Sequence, residues 1–212
     1  MKKIIRSIFV LVSCYVALFS YLQAKPMEYK YLGKNNAPVI MYDFASLSCV
    51  HCADFSNNIM PQLIKDYVNT GKLKIIFIDV PFGSPNNLFA HTVLHYTSSN
   101  EDFFQLAHAL FANQDKWVQA NNPVTEIKKY TTLLGMSDTT LNKAINDKTL
   151  QKWLKDNATK QISALHIQGT PTLFFVKKGE KLTPASTSIV GVPDYKKLQN
   201  TIDNLIKKTK SS

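Results

Sequence analysis

The sequence has little cysteine. Among 212 residues there are three cysteines, and only Cys49 and Cys52 lie beyond the first two dozen positions. A zinc or iron–sulfur site normally takes four protein ligands, and no second cysteine pair exists to complete one. A c-type haem would need a histidine directly after the second cysteine, where Ala53 stands. The sequence therefore predicts no metal site and no cofactor.

The chain also lacks internal repeats, low-complexity runs and a basic stripe interleaved with aromatic residues. Lysine and arginine number 25 against 15 acids, for a formal net charge of +10, but the lysines are scattered apart from a cluster at Lys207–Lys210. With 45% hydrophobic residues, a chain of this length can bury one good core. We therefore expect a single globular unit with a solvated basic surface and no nucleic-acid partner.

Residues 1–24 have the composition of an export signal. A basic start at Met1–Arg6 precedes an apolar stretch at Ser7–Leu22, and Ala24 offers a small residue before a predicted cleavage site. Removal of this segment takes three basic residues and no acid, which leaves a net charge of 10 − 3 = +7. The sequence thus predicts a periplasmic protein with a cleaved signal peptide.

Two alternatives to cleavage after residue 24 stay open. The apolar segment could remain as an uncleaved membrane anchor, or Leu11–Cys14 could serve as a lipoprotein cleavage box. In each case Cys14 takes no part in the chemistry. Export would place Cys49 and Cys52 where thiols become disulfides unless they are actively kept reduced.

Hydrophobic patterns predict two groups of strands with helices between them. A buried strand, a helix that opens at the cysteine pair and a second buried strand form a parallel unit. Helical segments follow, among them a short one that Ser137 is expected to cap and a long one at Lys148–Leu165, and then two strands and a closing helix. The predicted divisions are 25–84 for the first part of the core, 85–166 for an all-helical insertion and 167–212 for the second part.

The cysteine pair lies where a strand passes into a helix. Cys49 falls in the first turn, where free backbone N–H groups and the helix dipole favour a thiolate, and His51 can add charge or a donor. Cys52, one turn later, is expected to be less exposed. Two cysteines three positions apart close too small a loop to staple a fold, so the pair is interpreted as a redox site.

Two further features are candidates for the same site. A cis peptide before Pro171 would present the backbone of Thr170 beside Cys49, where an extended substrate segment could pair as an added strand. Asp43 is a carboxylate inside an apolar strand, which is costly unless it is paired, hydrated or useful. It is interpreted either as a proton relay to Cys52 or as a hydrogen-bonded structural acid.

From about residue 35 to its end, the chain resembles the thioredoxin superfamily, and within it the DsbA family of thiol-disulfide oxidoreductases. The resemblance is carried by Cys49-Val-His-Cys52, Gly169-Thr-Pro-Thr172 and Leu110-Phe-Ala-Asn-Gln114, in the order of elements given above. It implies an α/β thioredoxin fold with an inserted all-helical lobe.

The resemblance also implies roles for five residues. Cys49 matches the nucleophile, Cys52 the resolving cysteine, His51 the residue that stabilises the thiolate, Pro171 the cis proline and Asp43 the buried acid of the family. The implied partners are exported proteins with free cysteines and a quinone-linked membrane reoxidant of the DsbB type. The chain is expected to act as a monomer.

Val50 and Thr170 stand where the best-known family member has proline and valine, and both positions contact substrate and tune the potential. The choice between a disulfide donor and an isomerase or reductase kept in the dithiol form therefore stays open. A periplasmic copper-binding protein or chaperone is the alternative from another class. His91 and His95 are interpreted as partly exposed helix histidines rather than as metal ligands.

Overall fold

The chain folds around a mixed sheet of five strands in the order β1-β3-β2-β4-β5. A computed structural model describes residues 27–210, so the predicted signal peptide and Cys14 lie outside the described residues. The strands are β1 (Tyr31–Leu32), β2 (Val39–Ala45), β3 (Leu73–Asp79), β4 (Thr172–Lys177) and β5 (Thr187–Val190). Strands β2 and β3 are parallel, and the other pairs are antiparallel.

The central strand β2 explains how the sheet is covered on both faces. Alternate residues of a strand point to opposite faces, so Val39 and Met41 share one face with Asp43. On that face the strand packs against the helix after the cysteines and against the closing helix, and Phe44 packs in a separate cluster on the other face. Asp43 thus lies beneath the first helix.

Helix α1 follows β2 directly and joins it to β3. It consists of Val50–Asp54, Phe55–Ile59, Met60–Leu63 and Ile64–Val68, and the second and fourth of these are π-helical. Pro61 has no N–H and cannot donate the usual helical hydrogen bond. In the π-helical turn before it, the N–H of Met60 donates to the carbonyl of Phe55. The predicted parallel strand–helix–strand unit is confirmed.

Helices alone fill the chain between β3 and β4, which we call the helical insertion. They are α2 (Pro85–Leu94), α3 (Asn100–Ala112), α4 (Gln114–Trp117), α5 (Pro123–Leu133), α6 (Asp138–Asn146) and α7 (Lys148–Leu165). Side chains at Ser84, Ser99 and the predicted cap Ser137 accept hydrogen bonds from the first turns of α2, α3 and α6. The closing helix α8 is Tyr195–Lys210.

This architecture is a thioredoxin fold with a helical insertion, as the sequence predicts. The prediction missed β1, which pairs with β3 at the edge of the sheet, and the short helix α4. The exact division at residues 84 and 166 stays a prediction. Within 27–210, the structure contains no helix with the length and apolar character needed to cross a bilayer.

Candidate active site

Cys49 is the N-cap residue of α1, with extended backbone at φ −82° and ψ 122°. Its side chain is partly exposed, and its Sγ lies 3.3 Å from the backbone carbonyl of Thr170, to which the protonated thiol can donate. The peptide between Thr170 and Pro171 is cis. The structure therefore brings together the cysteine of one segment and the Thr-Pro pair lying more than a hundred residues later.

The surroundings of Cys49 favour its thiolate. A hydrogen bond with the Cys52 thiol makes the largest contribution, and the side chain of Thr170 and the backbone N–H groups of Cys52 and His51 make smaller ones. Together they outweigh partial burial and lower the pKa of Cys49 to about 5. At neutral pH the reduced protein consequently holds Cys49 as an anion.

The surroundings of Cys52 instead favour its protonated thiol. It is buried, with 1% of its surface exposed, and it supplies the hydrogen bond that stabilises the neighbouring thiolate. That hydrogen bond, burial and the charge of Asp43 all raise the pKa of Cys52 far above the usual value for cysteine. One thiol of the pair is ready to react and the other holds its proton.

Asp43 lies beneath this pair, 3% exposed. Burial raises the pKa of its carboxyl to about 7, and its Oδ1 has no hydrogen-bond partner among the described residues. A cavity of about 380 Å³ between the sheet, α1 and α3 is lined by Asp43 and Cys52, with Ser56 and His108 also in its wall. The acid and the buried thiol therefore share one space.

The remaining predicted residues lie at the outer surface of the site. Val50 is 69% exposed in the first turn of α1. The ring of His51 is exposed, and the part of His51 that lowers the Cys49 pKa is its backbone N–H. The two neighbours between the cysteines thus face solvent on the side from which a substrate would approach.

His91 is fully buried rather than partly exposed as expected, whereas His95 is of intermediate exposure as a residue, with 7% of its side chain exposed. Nδ1 of His91 lies 2.7 Å from Oδ1 of Asp79, and Nε2 of His95 lies 3.0 Å from Oδ2. Helix α2 lies against the sheet end, so both rings point inward. No group of three or more histidine, cysteine or acidic residues suited to a metal ion occurs in the described part of the chain.

Sequence reasoning missed three polar residues that contact the backbone just before Cys49. Asn87, His91 and Gln114 bind the segment Ser46–Cys49, which we call the cysteine loop. The signal for Gln114 was present in Leu110-Phe-Ala-Asn-Gln114, which was used only as a family resemblance. For Asn87 and His91 no local pattern indicates a partner some forty residues away.

Comparison with known proteins gives consistent results at the level of sequence. A family model described as Thioredoxin matches residues 27–204. Disulfide bond formation protein D of Bacillus subtilis is 26% identical over 183 residues, which are 83% of this chain and 76% of that protein. A proposed protein-disulfide oxidoreductase of Rickettsia conorii is 26% identical over 143 residues, which are 68% of this chain and 51% of the relative. The chain thus spans about half the length of the rickettsial protein.

Solved structures agree with the fold. The crystal structure of α-DsbA1 from Wolbachia pipientis superposes with a TM-score of 0.81 at 28% identity, covering 90% of this chain and 96% of that one. Oxidised BdbD from Bacillus subtilis gives a TM-score of 0.72 at 21% identity, covering 84% and 93%, and supports the fold alone.

Proposed function

Because the chain belongs to the thioredoxin superfamily, and within it to the DsbA family of thiol-disulfide oxidoreductases, we propose that it is a periplasmic disulfide donor. Its substrates are exported proteins with free cysteines, and it transfers its Cys49–Cys52 disulfide to them as a monomer. The observation that carries the proposal is the unequal pair itself. A stabilised Cys49 thiolate favours the dithiol form and so makes the disulfide a strong oxidant.

The reaction begins with attack of a substrate thiolate on Sγ of Cys49, the more accessible sulfur of the oxidised pair. The Cys49–Cys52 bond breaks, Cys52 leaves as a thiolate and takes up a proton, and a mixed disulfide joins Cys49 to the substrate. A second substrate thiolate then attacks the substrate sulfur of that bond. Cys49 leaves as its stabilised thiolate, and the substrate keeps the new disulfide.

The substrate segment is proposed to lie extended beside Thr170 and Pro171. The carbonyl of Thr170 lies 3.3 Å from Sγ of Cys49, so a backbone N–H of the substrate can donate to it when Cys49 is in the mixed disulfide. Val50, exposed next to Cys49, would contact the residues flanking the substrate cysteine. His51 is proposed to stabilise the thiolate through its backbone N–H, which lowers the pKa of Cys49, with its exposed ring as a further candidate contributor.

Asp43 is proposed to move the proton of Cys52. Reoxidation requires Cys52 to lose its proton, and a carboxyl with a pKa of about 7 in the same cavity can accept it near neutral pH. The oxidant would take two electrons from the reduced pair, and because Cys49 is already a thiolate, the only proton released is that of Cys52. A quinone-linked membrane protein of the DsbB type is the proposed partner for this step.

The test is transfer of the disulfide to a reduced model protein, such as unfolded reduced ribonuclease. The oxidised protein should lose one disulfide for each one that the substrate gains. With scrambled, disulfide-bonded ribonuclease as the substrate, the Cys49 thiolate of Cys52→Ser should break a substrate disulfide and stay joined to one of its sulfurs as a mixed disulfide, and Cys49→Ser should form none. Full transfer activity in Cys49→Ser, with the fold intact by circular dichroism, would refute the proposed mechanism.

A further inference from the structure

Side chains of the helical insertion form hydrogen bonds with the backbone of the cysteine loop, and the shortest of these bonds comes from Gln114. The Nε2 group of Gln114 donates to the carbonyl of Leu47 at 2.6 Å and to the carbonyl of Cys49 at 3.0 Å. An amide nitrogen has two hydrogens, so both of its donors are used on this loop. One side chain therefore fixes two peptide planes of this segment, Leu47–Ser48 and Cys49–Val50.

The second contact comes from Asn87, which is fully buried at the start of α2. Its Oδ1 accepts from the N–H of Ser48 at 3.1 Å, and its Nδ2 donates to Oγ of Ser46 at 3.1 Å and to the Phe82 carbonyl at 2.7 Å. Both ends of the amide are satisfied, which also fixes its orientation.

The third contact is a histidine whose tautomer can be assigned. The N–H of Leu47 can only donate, so Nε2 of His91, 3.2 Å away, is the acceptor and carries no proton. The proton then lies on Nδ1, which donates to Asp79. Burial opposes the charge of Asp79, but the nearby His95 and the two histidine hydrogen bonds hold its carboxyl pKa below the usual range. An ionised Asp79 thus orients the ring of His91.

The segment that carries Gln114 is itself held firmly. Trp117, three residues later, is fully buried, and its Nε1 donates to the Leu110 carbonyl at 2.8 Å. The Nδ2 group of Asn86 shares its two hydrogens among three carbonyls at the end of this segment, those of Trp117, Val118 and Ala120. Gln114 is therefore presented to the cysteine loop from a rigid support.

We propose that Gln114, Asn87 and His91 are positioning residues through which the helical insertion holds the cysteine loop in the conformation that the Cys49 thiolate requires. None of the three is proposed to touch substrate or the reacting sulfurs. The Cys49 carbonyl accepts from both Gln114 and the Ala53 N–H, each at 3.0 Å. This double contact fixes the start of α1, and with it the N–H groups of His51 and Cys52 that stabilise the thiolate.

Gln114 offers the cleanest test because it is only half-buried, so Gln114→Met should fold while losing both donors. The experiment is the pH dependence of Cys49 alkylation by iodoacetamide in the reduced protein. The midpoint should rise by about half a pH unit to one pH unit, because thiolate stabilisation depends on the fixed loop. This readout rests on the proposed function only in assigning Cys49 as the reactive thiol, and it needs no substrate.

Gln151→Met is the matched control. Gln151 is another half-buried glutamine of the helical insertion, and its Nε2 donates to a backbone carbonyl, that of Ile145, at 3.0 Å. It should leave the Cys49 midpoint unchanged. An unchanged midpoint in Gln114→Met, or an equal rise in both variants, would overturn the proposal.

His91→Gln provides a second test, since a glutamine carbonyl can still accept from the Leu47 N–H. We expect it to keep the midpoint closer to wild type than His91→Leu does, at equal folded fraction. If the two variants shift the midpoint equally, His91 serves only packing. Disulfide transfer by the wild-type protein separates the two claims: its absence contradicts the proposed function, whereas an unshifted alkylation midpoint in Gln114→Met contradicts only the positioning role.

Discussion

Two buried aspartates on neighbouring parallel strands have pKa values that are shifted in opposite directions. Asp43 on β2 is 3% exposed and Asp79 at the end of β3 is 2% exposed. Burial raises the pKa of Asp43 to about 7, whereas at Asp79 the burial is outweighed by His95 and His91 and the pKa falls below the usual range. Burial alone therefore does not decide the charge of a carboxyl in this sheet, because the partners decide it.

The difference separates two tasks within one sheet. Oδ1 of Asp43 has no hydrogen-bond partner within residues 27–210, and the carboxyl shares a cavity with Cys52. Asp79 is hydrogen-bonded to His91, which in turn accepts from the cysteine loop. We therefore propose that Asp43 serves proton transfer and that Asp79 serves the geometry of the loop.

The largest change in the free energy of unfolding is expected when the charge of Asp43 is removed. An acid whose folded pKa is raised contributes stability below its unfolded pKa, near 4, and this is lost as the pH rises towards 7. Asp43→Asn should therefore raise the free energy of unfolding by up to about 4 kcal/mol at pH 8, and the gain should nearly vanish at pH 4. Urea unfolding at both pH values measures it, and an equal gain at both would contradict the raised pKa.

The same substitution at Asp79 should act in the other direction. Asp79→Asn removes the ionised acceptor of two buried histidines, and we expect a loss of about 3 kcal/mol in the free energy of unfolding at pH 7. Asp115→Asn, at an exposed pair with Lys116, is the control and should leave the unfolding midpoint in place. If the Asp79 and Asp115 variants have equal free energies of unfolding, the contacts of Asp79 with His91 and His95 do not stabilise the fold.

A kinetic prediction tests the proton-transfer half of the comparison. In oxidation by glutathione disulfide, Cys49 reacts first and Cys52 then displaces glutathione. Asp43→Asn should slow the second step by about tenfold at pH 7, because the base that takes the Cys52 proton is gone. The rate of Cys49 alkylation should stay the same. Equal rates for the second step in wild type and variant would remove Asp43 from the mechanism.

The smallest effect is expected at His51. Its backbone N–H, which lowers the Cys49 pKa, is kept in His51→Ala, and only the exposed ring is lost. The midpoint of Cys49 alkylation should rise by at most about half a pH unit. No rise at all would show that the ring has no part in stabilising the thiolate.

The two aspartates also mark how far sequence reasoning goes. The runs Val39–Ala45 and Leu73–Asp79 are both apolar strands with one acid, and both were predicted as buried strands. Nothing in either run tells which acid will find a histidine, because Asp79 meets His91 and His95 only when α2 folds onto the sheet. Local pattern predicts burial, and tertiary packing decides charge.

Among the other helices and strands, a long helix was predicted correctly and the shortest elements were missed. Helix α7 was predicted at the bounds observed, Lys148–Leu165, since a long amphipathic pattern is a strong signal. Strand β1 has two residues, too few for any alternation, and α4 has four. The cysteine pair and the Thr-Pro pair were found by motif, whereas the contacts of Gln114 and Asn87 depend on the docking of the helical insertion.

The most direct test of the account is the equilibrium of the purified protein with glutathione buffers, read by alkylation of Cys49 and Cys52. A stabilised Cys49 thiolate predicts a disulfide that is markedly easier to reduce than that of thioredoxin, whose potential is about −270 mV. That result would support donation of the disulfide to substrate proteins. A potential at or below the thioredoxin value would contradict the account and indicate a reductant.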